Sequence, residues 1–119
     1  MNTKSTENAL RWLAKYINSA FVAGWSNVSD YVAGSTTRVW TCGGMACINF
    51  NTKFSTIPAH EVAFMTGVPK AKYYCKTVLL TNNGTAMKIT VNTDGTVAPD
   101  GNYSTTGWYA GTIVYPIEI

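Results

Sequence analysis

Residues 73–97, YYCKTVLLTNNGTAMKITVNTDGTV, decide the fold class of this chain. The dipeptides Asn83-Gly84 and Asp94-Gly95 each stand between two strand-like runs. Asn-Gly and Asp-Gly are the strongest short-range signals of a β-hairpin, because turns with positive φ are strained for most residues other than Gly, Asn and Asp. Between the two turns, residues 86–92 alternate apolar and polar side chains, which is typical of an antiparallel strand with one buried face. The stretch therefore predicts two consecutive hairpins.

Loop length fixes the register of the second hairpin. At Asp94-Gly95 we predict a three-residue loop that begins at Thr93, with a type I turn followed by Gly95 in the left-handed region as a G1 bulge. This loop places Val91 opposite Val97, so that both side chains face the core. A two-residue loop would instead leave Val97 on the polar side of the sheet.

The first hairpin is predicted to have a two-residue loop, Asn83-Gly84. That loop brings the apolar residues of the two strands opposite one another, pairing Val78 with Ile89 and Leu80 with Met87. A shift of one residue would turn these side chains to the opposite face of the sheet.

Residues 1–33 carry the helical signals and predict an N-terminal, coiled-coil-like stem with its main helix over 5–23. Ser5 suits a helix N-cap, and Glu7 suits the first helical turn. Residues 26–30 are predicted to cap a second short helix that ends near Gly34. Apolar or small residues repeat with 3-4-3-4 spacing in a stripe along the main helix, namely Leu10, Leu13, Ile17, Ala20 and Gly24. Two interpretations of this stripe stay open: it packs on the chain's own sheet, or it joins copies of the chain.

Residues 37–119 form the predicted head domain, which follows a small, polar linker at 33–37. From Arg38 onward only strand and turn signals occur, including a hairpin candidate at Gly43-Gly44. About seven short strands at regular spacing indicate a sandwich or a barrel. We predict a mainly β fold, with an antiparallel β-sandwich or jelly-roll-like head preceded by the α-helical stem.

Composition excludes several function classes. Charged residues make up 13% of the chain, and the net charge is +3. The nine Lys and Arg residues are scattered, whereas a nucleic-acid-binding surface needs a denser basic stripe. No apolar run approaches the roughly 20 residues of a membrane span. The first apolar run contains Arg11 and Lys15, unlike a signal peptide. We expect no nucleic-acid partner, no membrane insertion, no signal peptide and synthesis in the cytoplasm.

His60, the only histidine, stands beside Glu61 and suggests at most a weak acid–base pair. No nucleophile or second base accompanies it in the sequence, so a turn residue is the favoured interpretation. A glycan hydrolase would need two carboxylates flanking a cleft, for which Glu61 and Asp100 of neighbouring subunits are the candidates. The sequence predicts no catalytic residues and a protein that is not an enzyme.

The three cysteines, Cys42, Cys47 and Cys75, do not fit a zinc site well. The first two are separated by four residues, and His60 is the only candidate for a fourth ligand. We expect buried thiols that behave as small hydrophobic residues, with Cys42 and Cys47 on opposite faces of their hairpin. No metal and no cofactor are predicted.

The β part of the chain is rich in aromatic residues, and these supply the candidate ligand-binding residues. Outward Trp and Tyr side chains near Asn, Ser and Thr suit stacking on sugar rings, and they equally suit a contact between subunits. Both interpretations stay open. The candidate ligand-binding residues are Trp40, Tyr103, Trp108 and Tyr109.

Three pieces of the sequence resemble a known family. They are Asp30-Tyr-Val with Val39-Trp-Thr41, the run Ile89-Thr-Val-Asn-Thr-Asp-Gly-Thr-Val97, and the run Gly107-Trp-Tyr-Ala-Gly-Thr-Ile-Val-Tyr115. Together they resemble the C-terminal head module of tail-fibre and minor structural, receptor-binding proteins of phages and prophages of Gram-positive bacteria. The resemblance covers most of residues 30–116.

The resemblance implies a virion protein in which a helical stem leads into a β-rich head. It implies homotrimers with heads packed about a threefold axis, and adhesion to a bacterial cell-surface glycan. It identifies no binding residues. The expected function is therefore that of a tail-fibre-type structural protein whose trimeric head binds a host-surface glycan. The alternative is a structural or assembly component of a phage particle that has no ligand.

Overall fold

The computed structural model describes Thr6 and residues 19–118. Within residues 19–118 the chain forms ten strands. The strands are β1 Ser19–Phe21, β2 Ser26–Asn27, β3 Val32–Ser35, β4 Arg38–Cys42, β5 Met45–Phe54, β6 Met65–Thr66, β7 Cys75–Leu80, β8 Ala86–Val91, β9 Val97–Pro99 and β10 Gly107–Pro116.

The strands join in one antiparallel sheet with the order β1-β4-β5-β10-β7-β8-β9-β6-β2, and β3 pairs with β5 beyond the end of β4. β5 and β10 are the long central pair, joined from Phe54 opposite Gly107 to Met45 opposite Pro116. The sheet curls into a half-barrel. The mainly β, antiparallel class is therefore confirmed, but the predicted sandwich or jelly-roll is replaced by one curved sheet. Strand alternation and turn spacing are the same in both architectures, so the pattern alone did not separate them.

The core lies on the inner face of this sheet. Alternate residues of β5 from Ala46 to Phe54 are buried, and the residues between them are exposed or half-buried. The Phe54 ring meets Phe64 and Tyr109 edge-to-face, with centroids 4.9 and 5.7 Å away. Contacts of this geometry stabilise a fold by about 0.5–1.5 kcal/mol each beyond area burial. The outer face carries the alternate side chains, which stay accessible to solvent or partly so.

The second predicted hairpin is confirmed. Asn92 N–H donates to Thr96 O at 2.8 Å, Gly95 N–H donates to Asn92 O at 3.2 Å, and Gly95 has φ 84°. Val91 pairs with Val97, as the three-residue loop requires. The loop is stiffened by Asp94, whose carboxylate accepts hydrogen bonds from the Thr96 backbone N–H and hydroxyl.

The register of the first hairpin differs from the prediction by one residue. Thr81 N–H donates to Thr85 O and Gly84 N–H donates to Thr81 O, both at 3.0 Å, so this loop also has three residues and ends at Gly84. The Thr81 hydroxyl accepts the Thr85 N–H and holds the wider loop. Leu79 therefore pairs with Met87 and faces the core. Val78 and Leu80, predicted to be core residues, are exposed on the outer face.

The helical interpretation of residues 19–33 is wrong, because this stretch forms strands and a turn. Ser19–Phe21 pairs with β4, and Ser26–Asn27 pairs with β6. Val22 N–H donates to Val39 O, so sheet partners satisfy the backbone that a helix would have satisfied internally. The rest of the predicted stem, residues 1–18 apart from Thr6, lies outside the described residues. In the described part of the chain, no helix is long and apolar enough to cross a membrane.

Candidate functional site

One row of outward side chains crosses four neighbouring strands. Phe21 of β1 lies opposite Trp40 of β4, Trp40 lies opposite Cys47 of β5, and Cys47 lies opposite Val114 of β10. Directly opposite residues point to the same face of a sheet, about 4.8 Å apart from strand to strand. We call these four residues the outer row. Phe21 is 74% exposed and Val114 is 58% exposed, so the row is a large part of the accessible surface here.

Further exposed apolar side chains flank the outer row. Met45, Val78, Leu80 and Trp108 share its face of the sheet and are exposed. No carboxylate occupies an outward position on β1, β4, β5 or β10 as the structure describes them. The outer row itself is therefore apolar, but the next outward row across these strands is polar, with Arg38, Asn49 and Thr112 opposite one another.

A groove of about 300 Å³ opens beside the outer row, and we call it the Trp40 groove. Its aromatic wall is the Phe21–Trp40 pair, whose ring centroids are 6.4 Å apart with planes at 71°. The remaining lining comes from Ala20, Arg38 and Asn49. The candidate residue Trp40 is thus placed on an accessible groove, as the sequence predicts for an outward tryptophan.

Trp108 lies on the same face but far from Trp40. Trp108 pairs with Lys53 and Trp40 pairs with Cys47, six positions apart on β5. Six residues of strand span about 20 Å. The two tryptophans do not form one site for a small ligand.

The two candidate tyrosines serve the fold. Tyr109 has no exposed surface with which to contact a ligand, and its hydroxyl donates to Thr105 O at 2.6 Å. Burial raises the pKa of Tyr109. The Tyr103 hydroxyl accepts the Lys88 N–H at 3.1 Å and donates to Asp100 O at 3.3 Å. Tyr103 therefore ties the loop before β10 to β8.

The cysteines are placed differently from the prediction. Cys42 lies opposite Met45, two positions before Cys47, so Cys42 and Cys47 share the outer face and do not point to opposite faces. Cys42 is exposed, and the other two cysteines are only half-buried. Partial burial raises the pKa of the Cys47 thiol. Among the described residues, no group of His, Cys, Asp and Glu side chains is arranged to hold a metal ion.

A second, larger groove of about 550 Å³ lies on the outer face over β7, β8 and β9, and we call it the polar groove. Its floor includes Lys76, Thr90 and Ala98, which stand opposite one another on the three strands. Its walls come from the residues around these strands, namely Glu61, Tyr74, Asn92, Thr93, Asp94, Pro99 and Asp100.

Ionic contacts hold one wall of the polar groove. The Asp100 carboxylate accepts hydrogen bonds from Lys76 Nζ at 2.9 Å and faces His60 Nε2 at 3.2 Å. The hydrogen bond from Lys76 lowers the pKa of Asp100. Glu61 Oε1 lies 3.8 Å from the same imidazole nitrogen, and Glu61 is the only described residue other than glycine with positive φ, at 68°. Such backbone strain is often found at functional sites.

The positions of Glu61 and Asp100 differ from the sequence-based expectation. Glu61 and Asp100, expected to meet across neighbouring subunits if they meet at all, lie on one groove of a single chain. Sequence reasoning missed the groove as a whole because the predicted register of β7 with β8 was wrong by one residue. The one usable signal was the abundance of aromatic residues in the β part of the chain.

Comparison with protein-family models gives no match to this chain, and neither does comparison with curated proteins.

Proposed function

We propose that this chain is a non-enzymatic structural protein of a phage or prophage particle, of the tail-fibre class, that assembles as a homotrimer and binds a host-surface glycan. Assembly of the chain into a homotrimer is supported by the outer row and its exposed apolar neighbours. The resemblance of residues 30–116 to phage receptor-binding heads supplies the class. A ligand-free assembly component of the same particle is the second candidate, since the outer row favours it equally.

The outer row supports assembly on energetic grounds. Covering apolar surface stabilises a contact by about 25 cal/mol per Å² removed from water. Phe21 and Val114 leave most of their side-chain surface accessible in the single chain. Contiguous apolar patches on soluble monomers are small, and larger ones mark interaction surfaces.

A second copy of the chain is the occupant that fits this surface. The outer face around the row carries Arg38 and Lys53 but no carboxylate at the outward positions of β1, β4, β5 and β10. The four residues of the outer row carry no charged group, so two copies can meet along it without burying a charge, while Arg38 and Lys53 lie outside the row. Trp40, which belongs to the row, is the tryptophan that this contact covers.

Trimeric assembly also makes weak glycan sites useful. Three identical sites that engage one cell surface act with an effective concentration that raises the overall affinity by orders of magnitude. A virion protein of this kind works at the surface of the particle and needs no cofactor.

Binding to cell walls separates the two candidates. The probes are wall sacculi with attached polymers from a panel of Gram-positive bacteria, incubated with wild type, Val114→Lys and Val62→Lys. Val62 is the matched control, an exposed valine outside the outer row. We expect wild type and Val62→Lys to bind and Val114→Lys to bind weakly, because it loses avidity. Trimers that bind no sacculi would support the ligand-free component and overturn the glycan-binding proposal.

A further inference from the structure

We infer that the polar groove is the glycan site and that its ligand is a neutral oligosaccharide, with Tyr74 as the stacking surface. This inference rests on the glycan-binding function proposed above. It places the site on residues other than the candidate aromatics, on the half of the outer face that the outer row leaves uncovered.

The volume of the polar groove and its rigid floor suit an oligosaccharide ligand. Ligand grooves commonly measure about 300–1,000 Å³, and the polar groove measures about 550 Å³. Its floor is built on three paired strands, so the side chains of Lys76, Thr90 and Ala98 are fixed by the sheet. A site on rigid elements loses little conformational entropy when a ligand binds.

Tyr74 supplies the apolar contact. It is 68% exposed and lines the groove directly before β7. A tyrosine ring offers an apolar face on a side chain with little conformational freedom. The C–H face of a pyranose packs on such a ring, while the sugar hydroxyls point outward to polar groups.

The polar groups around Tyr74 offer both donors and acceptors in fixed positions. The Asp94 carboxylate is held by the Thr96 hydroxyl at 2.7 Å, and Asn92 Nδ2 donates to Thr96 Oγ1 at 3.0 Å. Asp100 is held by Lys76 and His60. Each carboxylate keeps lone pairs beyond those contacts, because an ionised carboxylate has about four acceptor sites. Pre-oriented acceptors of this kind bind sugar hydroxyls at low entropic cost.

The charges of the groove favour a neutral ligand. Three carboxylates line it, those of Glu61, Asp94 and Asp100, together with the ammonium group of Lys76. Lys70 acts on Asp94 and Lys88 acts on Asp100 from just outside the groove. The lining alone thus holds three carboxylates and one ammonium group, and this excess of negative charge disfavours sugars that carry acid groups, while Lys70 and Lys88 outside it weaken the attraction for cations.

Two of the three carboxylates, Asp94 and Asp100, favour binding over hydrolysis. A glycoside hydrolase needs a general acid whose pKa is raised. The side-chain hydrogen bond from Thr96 lowers the pKa of Asp94, and the hydrogen bond from Lys76 lowers the pKa of Asp100. Both groups thus act as acceptors.

Titration of the ¹⁵N-labelled full-length protein tests the site. The probes are three neutral trisaccharides, N-acetylchitotriose, maltotriose and globotriose, and one acidic probe, N-acetylneuraminic acid. We expect at least one neutral probe to shift the amide signals of residues 90–100, and the acidic probe to leave them unchanged. Tyr74→Ala should weaken binding about tenfold or more, a loss of about 1.4 kcal/mol. Tyr73→Ala should bind as wild type does, because Tyr73 is 63% exposed but does not line the groove.

The outcomes separate this inference from the function on which it rests. Amide shifts around Trp40, lost in Trp40→Ala and kept in Tyr74→Ala, would overturn the polar groove as the site and leave glycan binding intact. No shift with any of the three neutral probes would overturn the inference, and the sacculus assay then decides whether glycan binding falls with it. A dispersed spectrum of Tyr74→Ala shows that the variant is folded.

Discussion

Phe21 and Trp40 lie directly opposite each other on β1 and β4, with ring centroids 6.4 Å apart and planes at 71°. The pair begins the outer row and forms the aromatic wall of the Trp40 groove. Both side chains stand on the outward face, and neither is part of the buried core cluster. The pair therefore contributes little to folding of the single chain, and we expect it to contribute to the proposed subunit contact.

Replacing Phe21 by Ala tests whether this side chain serves self-association more than folding. Since Phe21 is largely exposed, the free energy of unfolding of the isolated chain should fall by less than about 1 kcal/mol. Self-association should weaken about tenfold or more, because large aromatic side chains carry much of the energy of a protein contact. Tyr73→Ala, another exposed aromatic residue outside the outer row, is the control. Equal association of both variants would contradict the assignment of Phe21 to a subunit contact.

The two hairpin glycines should respond differently to substitution by Ala. Gly84 and Gly95 both have φ above 80°, but a Cβ at Gly84 meets no atom within 4 Å, whereas a Cβ at Gly95 would lie 2.7 Å from Val68 O. Gly84→Ala should lower the free energy of unfolding by about 1 kcal/mol, from backbone strain alone. Gly95→Ala should lower it by on the order of 3 kcal/mol, because the carbonyl must also move. Urea unfolding measures both, and equal losses would contradict the close approach of Val68.

Much of the hairpin geometry was predictable, and the exception has a physical cause. The loop at Asn92 was identified because only three loop residues bring Val91 opposite Val97. At Asn83-Gly84 the same rule favoured burial of Val78 and Leu80 and gave a register that is wrong by one residue. The hydroxyl of Thr81, which accepts the Thr85 N–H, holds a loop of the same length as in the second hairpin. Maximal burial was a poor guide because the outer face of this sheet also carries apolar side chains, Val78 and Leu80 among them.

The N-terminal strands and the polar groove were harder to predict. Ala20 and Gly24 continued a helical spacing, but Ser19–Phe21 pairs with β4, so tertiary hydrogen bonding overrides the local pattern. The polar groove depends on the pairing of Thr90 with Ala98, which the predicted second hairpin implies, and on its pairing with Lys76, which the register error in the first hairpin hid. Of the candidate site residues, Trp40 and Trp108 are exposed or half-exposed. Tyr109 lies at a position of β10 whose side chain faces the core.

Removing the hydroxyl of Tyr109 should affect stability and leave ligand binding unchanged. Its hydroxyl donates to Thr105 O at 2.6 Å inside the fold. Tyr109→Phe should lower the free energy of unfolding by about 1 kcal/mol, because the carbonyl loses its partner. Binding to sacculi should equal that of wild type. A loss of binding without a loss of stability would return Tyr109 to the ligand-binding residues.

The ion pair of Asp100 with Lys76 predicts a pH dependence of stability. The hydrogen bond from Lys76 holds the pKa of Asp100 below its ordinary value of 3.8. Because the folded-state pKa lies below the unfolded-state value, Asp100 stabilises the fold above pH 3.8 and loses this contribution as the pH falls through the lowered pKa. The difference in free energy of unfolding between wild type and Asp100→Asn should therefore be larger at about pH 7 than at about pH 2.

Lys76→Met tests the cause of that pH dependence. In a Lys76→Met background, the Asp100→Asn substitution should change stability by a more nearly constant amount across the same pH range. Urea unfolding followed by tryptophan fluorescence gives the four free energies at each pH. A pH-independent difference in the wild-type background would contradict the ion pair.

The central claim is that a second copy of the chain covers the outer row, and the mass of the protein in solution tests it most directly. Sedimentation velocity on the wild type over a range of micromolar concentrations should give a species of three times the chain mass of 12.9 kDa. Val114→Lys should shift the population toward the single-chain mass, and Val62→Lys should not. A wild-type protein that sediments at 12.9 kDa at every concentration would contradict the account.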